Sequence, residues 1–232
     1  MAWRFLLAGL IGGLCYLDRT AACQLMLHRP LVVSTIMGGI FGNFMAGAQV
    51  GAVLELIYLV HLPVGASLPP DDTGAAVFAG SAAAAVAGGS LVDSGTFTAL
   101  ILLSVLFAEL GKLPDRMIRK INGRIARITR ESVDRGDLKA VEQGLLAGLT
   151  LFAATGVLLS LLFSGAGVAV SKLLLPRFGT AIVLDFTALA PVLPLIGAAS
   201  VFTCGRTGKT AHIFFLTMAV AFGATVFYQW VV

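Results

Sequence analysis

Residues 30–62 read PLVVSTIMGGIFGNFMAGAQVGAVLELIYLVHL, a run of 33 residues in which Glu55 is the only fixed charge. So oily a run belongs in hydrocarbon, yet Gly38, Gly39, Gly42, Asn43, Gly47, Gln49 and Gly51 crowd its middle and make one straight helix unfavourable. Divided there, it gives two limbs, Leu31 to Phe44 and Ala48 to His61. Each is about 21 Å long as a helix, short of the roughly 30 Å of a bilayer core. The reading is a re-entrant helical hairpin. Non-helical backbone at membrane depth is tolerated only where protein buries it or a wet cavity borders it, so the Gly-Asn-Phe-Met-Ala-Gly tip predicts a packed or hydrated environment.

The rest of the chain sets this hairpin in an all-α integral membrane protein. Of its 232 residues 58% are hydrophobic and only 12% charged, where soluble domains carry about 25% charged residues. Thr73 to Val92 and Gln143 to Ser171 are free of charge, and from Thr210 onward only His212 and Tyr228 ionise. Each stretch is long enough to be read as a span. The N-terminal Arg4-Phe-Leu-Leu run has no small-residue cleavage site before Asp18 and Arg19, so it is read as retained. Cys15, Cys23 and Cys204 lack metal or redox spacing and are expected as free thiols. No metal site or cofactor is expected.

Nine of the 16 Lys and Arg residues lie between Lys112 and Lys139. Ile118, Ile121, Ile125 and Ile128 recur there at helical spacing, with Arg116, Arg119, Lys120, Arg124, Arg127 and Arg130 on the other faces, which predicts an amphipathic basic helix within a polar loop over 112–142. The positive-inside rule places it on the cytoplasmic side, where Arg119, Lys120 and Arg124 can rest on anionic headgroups, meet a soluble partner, or serve only as a topology anchor. Spans are then expected over 94–110, 143–166, 182–202 and 211–231. Nothing accompanies the basic helix to suggest nucleic-acid binding.

Glu55 is the first candidate site residue, because an ionisable group in a membrane segment is costly unless paired or hydrated. The alternatives are that it snorkels or pairs with Arg29. Beyond it, "LPPDD" places Asp71 and Asp72 before a helix beginning near Thr73, and Asp72 or Thr73 is expected to cap that helix, leaving Asp71 free for function. Lone His61 and His212 have no metal-ligand company.

These residues resemble the N-terminal signature of the IIC subunit of the mannose/sorbose family of the bacterial phosphoenolpyruvate:sugar phosphotransferase system. The similarity covers residues 14–80: His28-Arg29-Pro30-Leu31, the Gly42-Asn43 tip where the family commonly has Gly-Asp, Gly47 and Gly51, Leu54-Glu55, Gly65-Ala66 and Pro70-Asp71. The resemblance implies one IIC domain over 1–232, multi-pass in the bacterial inner membrane. It implies a sugar permease that binds a hexose or amino sugar and moves it inward with a IID membrane subunit, as a trimer of IIC–IID pairs. Phosphorylation comes from soluble IIB, charged by IIA, with no catalytic residue on IIC. Glu55 and Asp71 match family positions that face the sugar; Gln24 is a further candidate contact, and His28, Arg29 and Asn43 are expected to brace the hairpin, Arg29 against Asp18.

Two other readings stand beside this one. A membrane hydrolase would use Glu55 and Asp71 as an acid–base pair, but a nucleophile is missing. A non-transporting regulatory or sensor subunit of an incomplete phosphotransferase system would fit the departures from the family pattern at Asn43 and Ser67-Leu68-Pro69-Pro70.

Overall fold

The computed structural model describes residues 2–22, 24–59 and 68–175, together with 192–195 and 199. Among these residues there is no strand. Six α-helices follow one another: α1 Ala2–Thr20, α2 Pro30–Phe41, α3 Phe44–Tyr58, α4 Asp72–Ala87, α5 Ser94–Asp134 and α6 Lys139–Ala169, the last running into a π-type turn over Val170–Leu174. The expectations for His61, His212, Cys23, Cys204 and the Gly65-Ala66 match lie outside the described residues, as do the spans over 182–202 and 211–231 apart from 192–195 and 199.

The hairpin forms as the glycines dictate. Pro30 opens α2 at a position where its missing N–H costs nothing. Gly42, at φ +110°, closes the helix by returning its N–H to the carbonyls of Gly38 and Gly39. One residue later Asn43 caps α3, its Oδ1 accepting from the Ala46 N–H at 3.0 Å. The limbs hold 12 and 15 residues, so neither crosses a bilayer core alone. Protein surrounds the tip: Asn43 Nδ2 donates to the Ser90 carbonyl at 2.6 Å, and the Gln49 carboxamide exchanges two hydrogen bonds with the Val92 backbone. Asn43 thus links the hairpin tip to the Ser90 backbone while capping α3.

Both limbs pack on α4, which is buried on all sides from Thr73 to Ala84. A helix apolar around its whole circumference finds that position in the middle of a bundle. The closest approach centres on Ser34, whose hydroxyl donates to the Gly47 carbonyl at 2.9 Å. A β-carbon at Gly47, Gly51 or Gly80 would collide with Ser34, so glycines of α3 and α4 let those two helices meet α2 there. The uncharged stretch read as a span over Thr73 to Val92 is shorter as a helix than expected. It ends at Ala87 because Gly88 and Gly89 take positive φ, leaving about 24 Å of helix.

The basic segment is not a separate loop. It continues the helix that begins at Ser94, through Pro114, for 41 residues in all. Pairs on either side of the proline, Lys112 to Glu109 at 2.7 Å and Arg119 to Asp115 at 3.1 Å, support the helix where one backbone bond is lost. The chain reverses in a tight turn at Gly136, φ +92°. α5 and α6 are the two described helices long and apolar enough to span a membrane. A stacked pair, Phe78 on Phe107 at 4.1 Å between centroids, and the edge contact of Phe107 with Phe163 at 5.4 Å join α4, α5 and α6.

The Ser34 seam makes a direct prediction. Gly80→Ala should lower stability by about 1–3 kcal/mol, because the added methyl meets backbone that cannot yield. Gly165→Ala, where the space is open, should leave the melting temperature unchanged or raised. Thermal unfolding of the purified chain in detergent separates the two.

Candidate functional site

The prolines of Pro69-Pro70 deliver Asp71 to the start of α4, where Asp71 itself is the cap: its Oδ1 accepts from the Gly74 N–H at 3.1 Å. Neither Asp72 nor Thr73 takes that role, which corrects the sequence expectation. The stiff Pro-Pro approach sets the chain so that Asp71, not its neighbour, precedes the first helical residue. Asp71 is 2% exposed and fully engaged. Its Oδ1 also accepts from Arg19 Nη1 at 2.7 Å and its Oδ2 from the Tyr16 hydroxyl at 2.5 Å. Its own N–H donates to the Ala108 carbonyl of α5 at 3.0 Å. Gly111 provides the room, since a β-carbon there would strike the carboxylate.

Arg19 extends the network outward. Its Nη2 donates to the Pro70 carbonyl at 2.8 Å and lies 3.2 Å from Asp72 Oδ1, whose side chain is 19% exposed. A buried carboxylate is thereby matched to a guanidinium that faces a cavity.

Glu55 belongs to a second ion pair, on the hairpin. Its Oε1 lies 3.4 Å from Arg29 Nη1, and its Oε2 accepts from the Leu31 N–H at 3.3 Å. The carboxylate serves the orphan N–H groups at the start of α2, where Arg29 offers no side-chain cap. Arg29 therefore pairs with Glu55 and not with Asp18, because Asp18 is already occupied. It sits 3.0 Å from His28 Nδ1 and accepts from the backbone N–H groups of Leu25 and His28. His28 and Arg29 each pair with a carboxylate at the entry to α2, and Thr73 Oγ1 ties the His28 carbonyl to α4 at 3.2 Å.

These pairs converge on a polar pocket of about 110 Å³, lined by Arg19, His28, Arg29, Tyr58, Asp72 and Arg119. Glu55 and Asp71 are thus brought to one region, each behind the arginine it binds. Gln24 is not among the lining residues; it is exposed on the segment between α1 and α2, with a positive φ of 52°. Arg119 of the basic helix reaches the pocket, whereas Lys120 and Arg124 are exposed away from it. Sequence reasoning missed Tyr16 and Arg19. Their signal was spacing: three apart on α1, they share a face of an otherwise apolar helix. Among the described residues no group of three His, Cys, Asp or Glu side chains could hold a metal.

Breaking this network from one side should cost far more than removing it. Arg19→Met alone strands the buried Asp71 and should destabilise the chain by about 3–5 kcal/mol. The double variant Arg19→Met/Asp71→Asn should recover part of that loss, as read by thermal unfolding in a double-mutant cycle.

Comparison with known proteins agrees with this architecture. The family described as "PTS system sorbose-specific IIC component" matches residues 2–229. The mannose-specific EIIC component of Escherichia coli K12 is 23% identical over 199 residues, 85% of this chain and 72% of that protein. The sorbose-specific EIIC component of Klebsiella pneumoniae is 39% identical over 54 residues, 23% of this chain and 20% of its own. A solved structure described as a membrane protein superposes with a TM-score of 0.75 at 20% identity, covering 100% of this chain and 94% of the other. The cryo-EM structure of the mannose transporter ManYZ with microcin E492 gives a TM-score of 0.62 at 20% identity, covering 95% and 86%. The chain belongs to the sorbose-specific IIC component family of the phosphotransferase system, and is a membrane-embedded subunit of sugar transport.

Proposed function

We propose that this subunit binds a hexose or amino sugar in the pocket between Arg19, Arg29, Asp72 and Arg119. Together with a IID membrane partner it moves the sugar inward for phosphorylation by soluble IIB, which IIA recharges. The setting is the bacterial inner membrane, with a multi-pass chain in a trimer of IIC–IID pairs. The names of the relatives, mannose- and sorbose-specific, support a hexose-like substrate.

One observation carries the proposal: every guanidinium at the pocket is matched by a carboxylate. Arg19 has Asp71 and Asp72, Arg29 has Glu55, and Arg119 has Asp115. Such a lining suits a neutral polyol, whose hydroxyls donate to carboxylates and accept from guanidinium groups. An anion would find its cations already satisfied. The present volume of about 110 Å³ is below the roughly 300–1,000 Å³ of ligand sites, so binding requires the walls to part. The Arg29–Glu55 pair is the one to yield, being the longest pair at the site and partly exposed. Sugar hydroxyls then replace it on Glu55, while Asp71 acts on the sugar through Arg19.

Glu55→Gln should weaken sugar binding by about 10-fold or more, the value of one charge-assisted hydrogen bond. Calorimetry on the chain co-purified with IID, against hexoses, amino sugars and sorbose, reads this; unchanged affinity would remove Glu55 from the site. Arg119→Gln should also weaken binding, whereas Lys120→Gln and Arg124→Gln should leave it intact and slow only phosphorylation by IIB. Loss of binding in Arg124→Gln would contradict that division.

A further inference from the structure

A second cavity lies apart from the sugar pocket, between the basic half of α5 and the start of α6. It measures about 490 Å³, within the range of small-molecule sites, and its walls are mostly apolar. Asn122, Thr129 and Arg130 line it from α5, and Gly148, Leu149 and Phe152 from α6. The two walls differ in kind. α5 is cationic along this stretch, whereas α6 carries no charge from Gln143 to Ser171. Leu145 beside the cavity and its neighbour Leu146 are 63% and 55% exposed, and Met117 and Ile128 of α5 are 68% and 63% exposed. Apolar surface on that scale marks a membrane or protein contact, and beside an uncharged helix hydrocarbon is the medium that suits it on one side. The cationic wall marks the headgroup layer on the other.

A polar group inside the cavity has no partner among the described residues. Asn122 Oδ1 is buried and makes no hydrogen bond to any of them, a cost that native proteins rarely leave standing. Gly148 lies directly opposite: a β-carbon there would meet only the Asn122 carboxamide, at 3.6 Å. The absence of a side chain at Gly148 therefore keeps the cavity open, while Arg130 supplies an exposed cation at its outer end.

We infer that this cavity is a binding site for an anionic phospholipid. An acyl chain lies along Leu149 and Phe152, the glycerol ester region faces Asn122, and the phosphate meets Arg130 and Thr129. Asn122 can serve a lipid ester because rotation of its carboxamide presents either an acceptor or a donor. Charge complementarity selects the lipid: a basic amphipathic surface beside hydrocarbon is the arrangement that attracts negatively charged headgroups.

The test uses the full chain with the membrane subunits that co-purify with it, exchanged into nanodiscs containing equal phosphatidylglycerol and phosphatidylcholine of matched acyl chains. Native mass spectrometry then counts retained lipid. Wild type should retain phosphatidylglycerol preferentially. Arg130→Gln should reduce that preference roughly five-fold, the effect of one cation at an anionic surface, while leaving phosphatidylcholine retention unchanged. Gly148→Leu should fill the cavity and abolish retention of both, with helical content preserved by circular dichroism. Equal retention of the two lipids by wild type would overturn the inference, as would variants that behave as wild type. Cross-linking from Gly148→Cys to another protein subunit instead of to lipid would also overturn it, because a partner helix would then occupy the cavity.

Discussion

The ionic hydrogen bonds of Asp71 hold this structure together. One carboxylate caps α4, binds the guanidinium and the phenol of α1, and sits against the bare backbone of Gly111 on α5, while its own N–H reaches the α5 carbonyl of Ala108. Three helices thus share one group that is 2% exposed. In surroundings of low dielectric an unpaired carboxylate would be intolerable, and it is the completeness of its partners that permits it. Arg19 then carries the polarity outward to the cavity proposed above to hold a hydrophilic substrate.

The rest of the architecture adapts to that arrangement. α4 must be central to present its N-terminus to α1 and α5, so it is rich in alanine and small residues and buried throughout its first three turns. The hairpin must lie close against it, which the glycines around Ser34 allow. Where helices pack this tightly, two arrangements of a pocket differ by side-chain exchange more readily than by backbone deformation. Under the proposed function the loose Arg29–Glu55 pair, at 3.4 Å and partly exposed, is the part of the site that exchanges, and the Arg19–Asp71 pair, at 2.7 Å and buried, is the part that stays.

Much of this was legible in the sequence. The Gly42-Asn43 break and the short limbs were readable because left-handed glycine and an asparagine cap leave a compositional mark. The family resemblance rested on that same stretch and was sound. The candidate site was legible only by residue type. Glu55 and Asp71 stood out as charges in apolar runs, but their partners lie 26 and 52 residues away in sequence, and nothing local announces a contact of that kind. The reading of Asp72 or Thr73 as the cap failed because two successive prolines shift the helix start by one residue. The basic segment was read as an amphipathic helix within a polar loop, set apart by its charge from the span over 94–110, whereas the two form one helix through Pro114.

A sugar-bound cryo-EM structure of the chain with its membrane partner tests the central claim most directly. The account predicts sugar oxygens within hydrogen-bond distance of Arg19, Arg29 and Asp72, with Glu55 turned from Arg29 to the sugar and Asp71 still held by Tyr16 and Arg19. A sugar lodged elsewhere, or bound by an Asp71 released from Arg19, would contradict it.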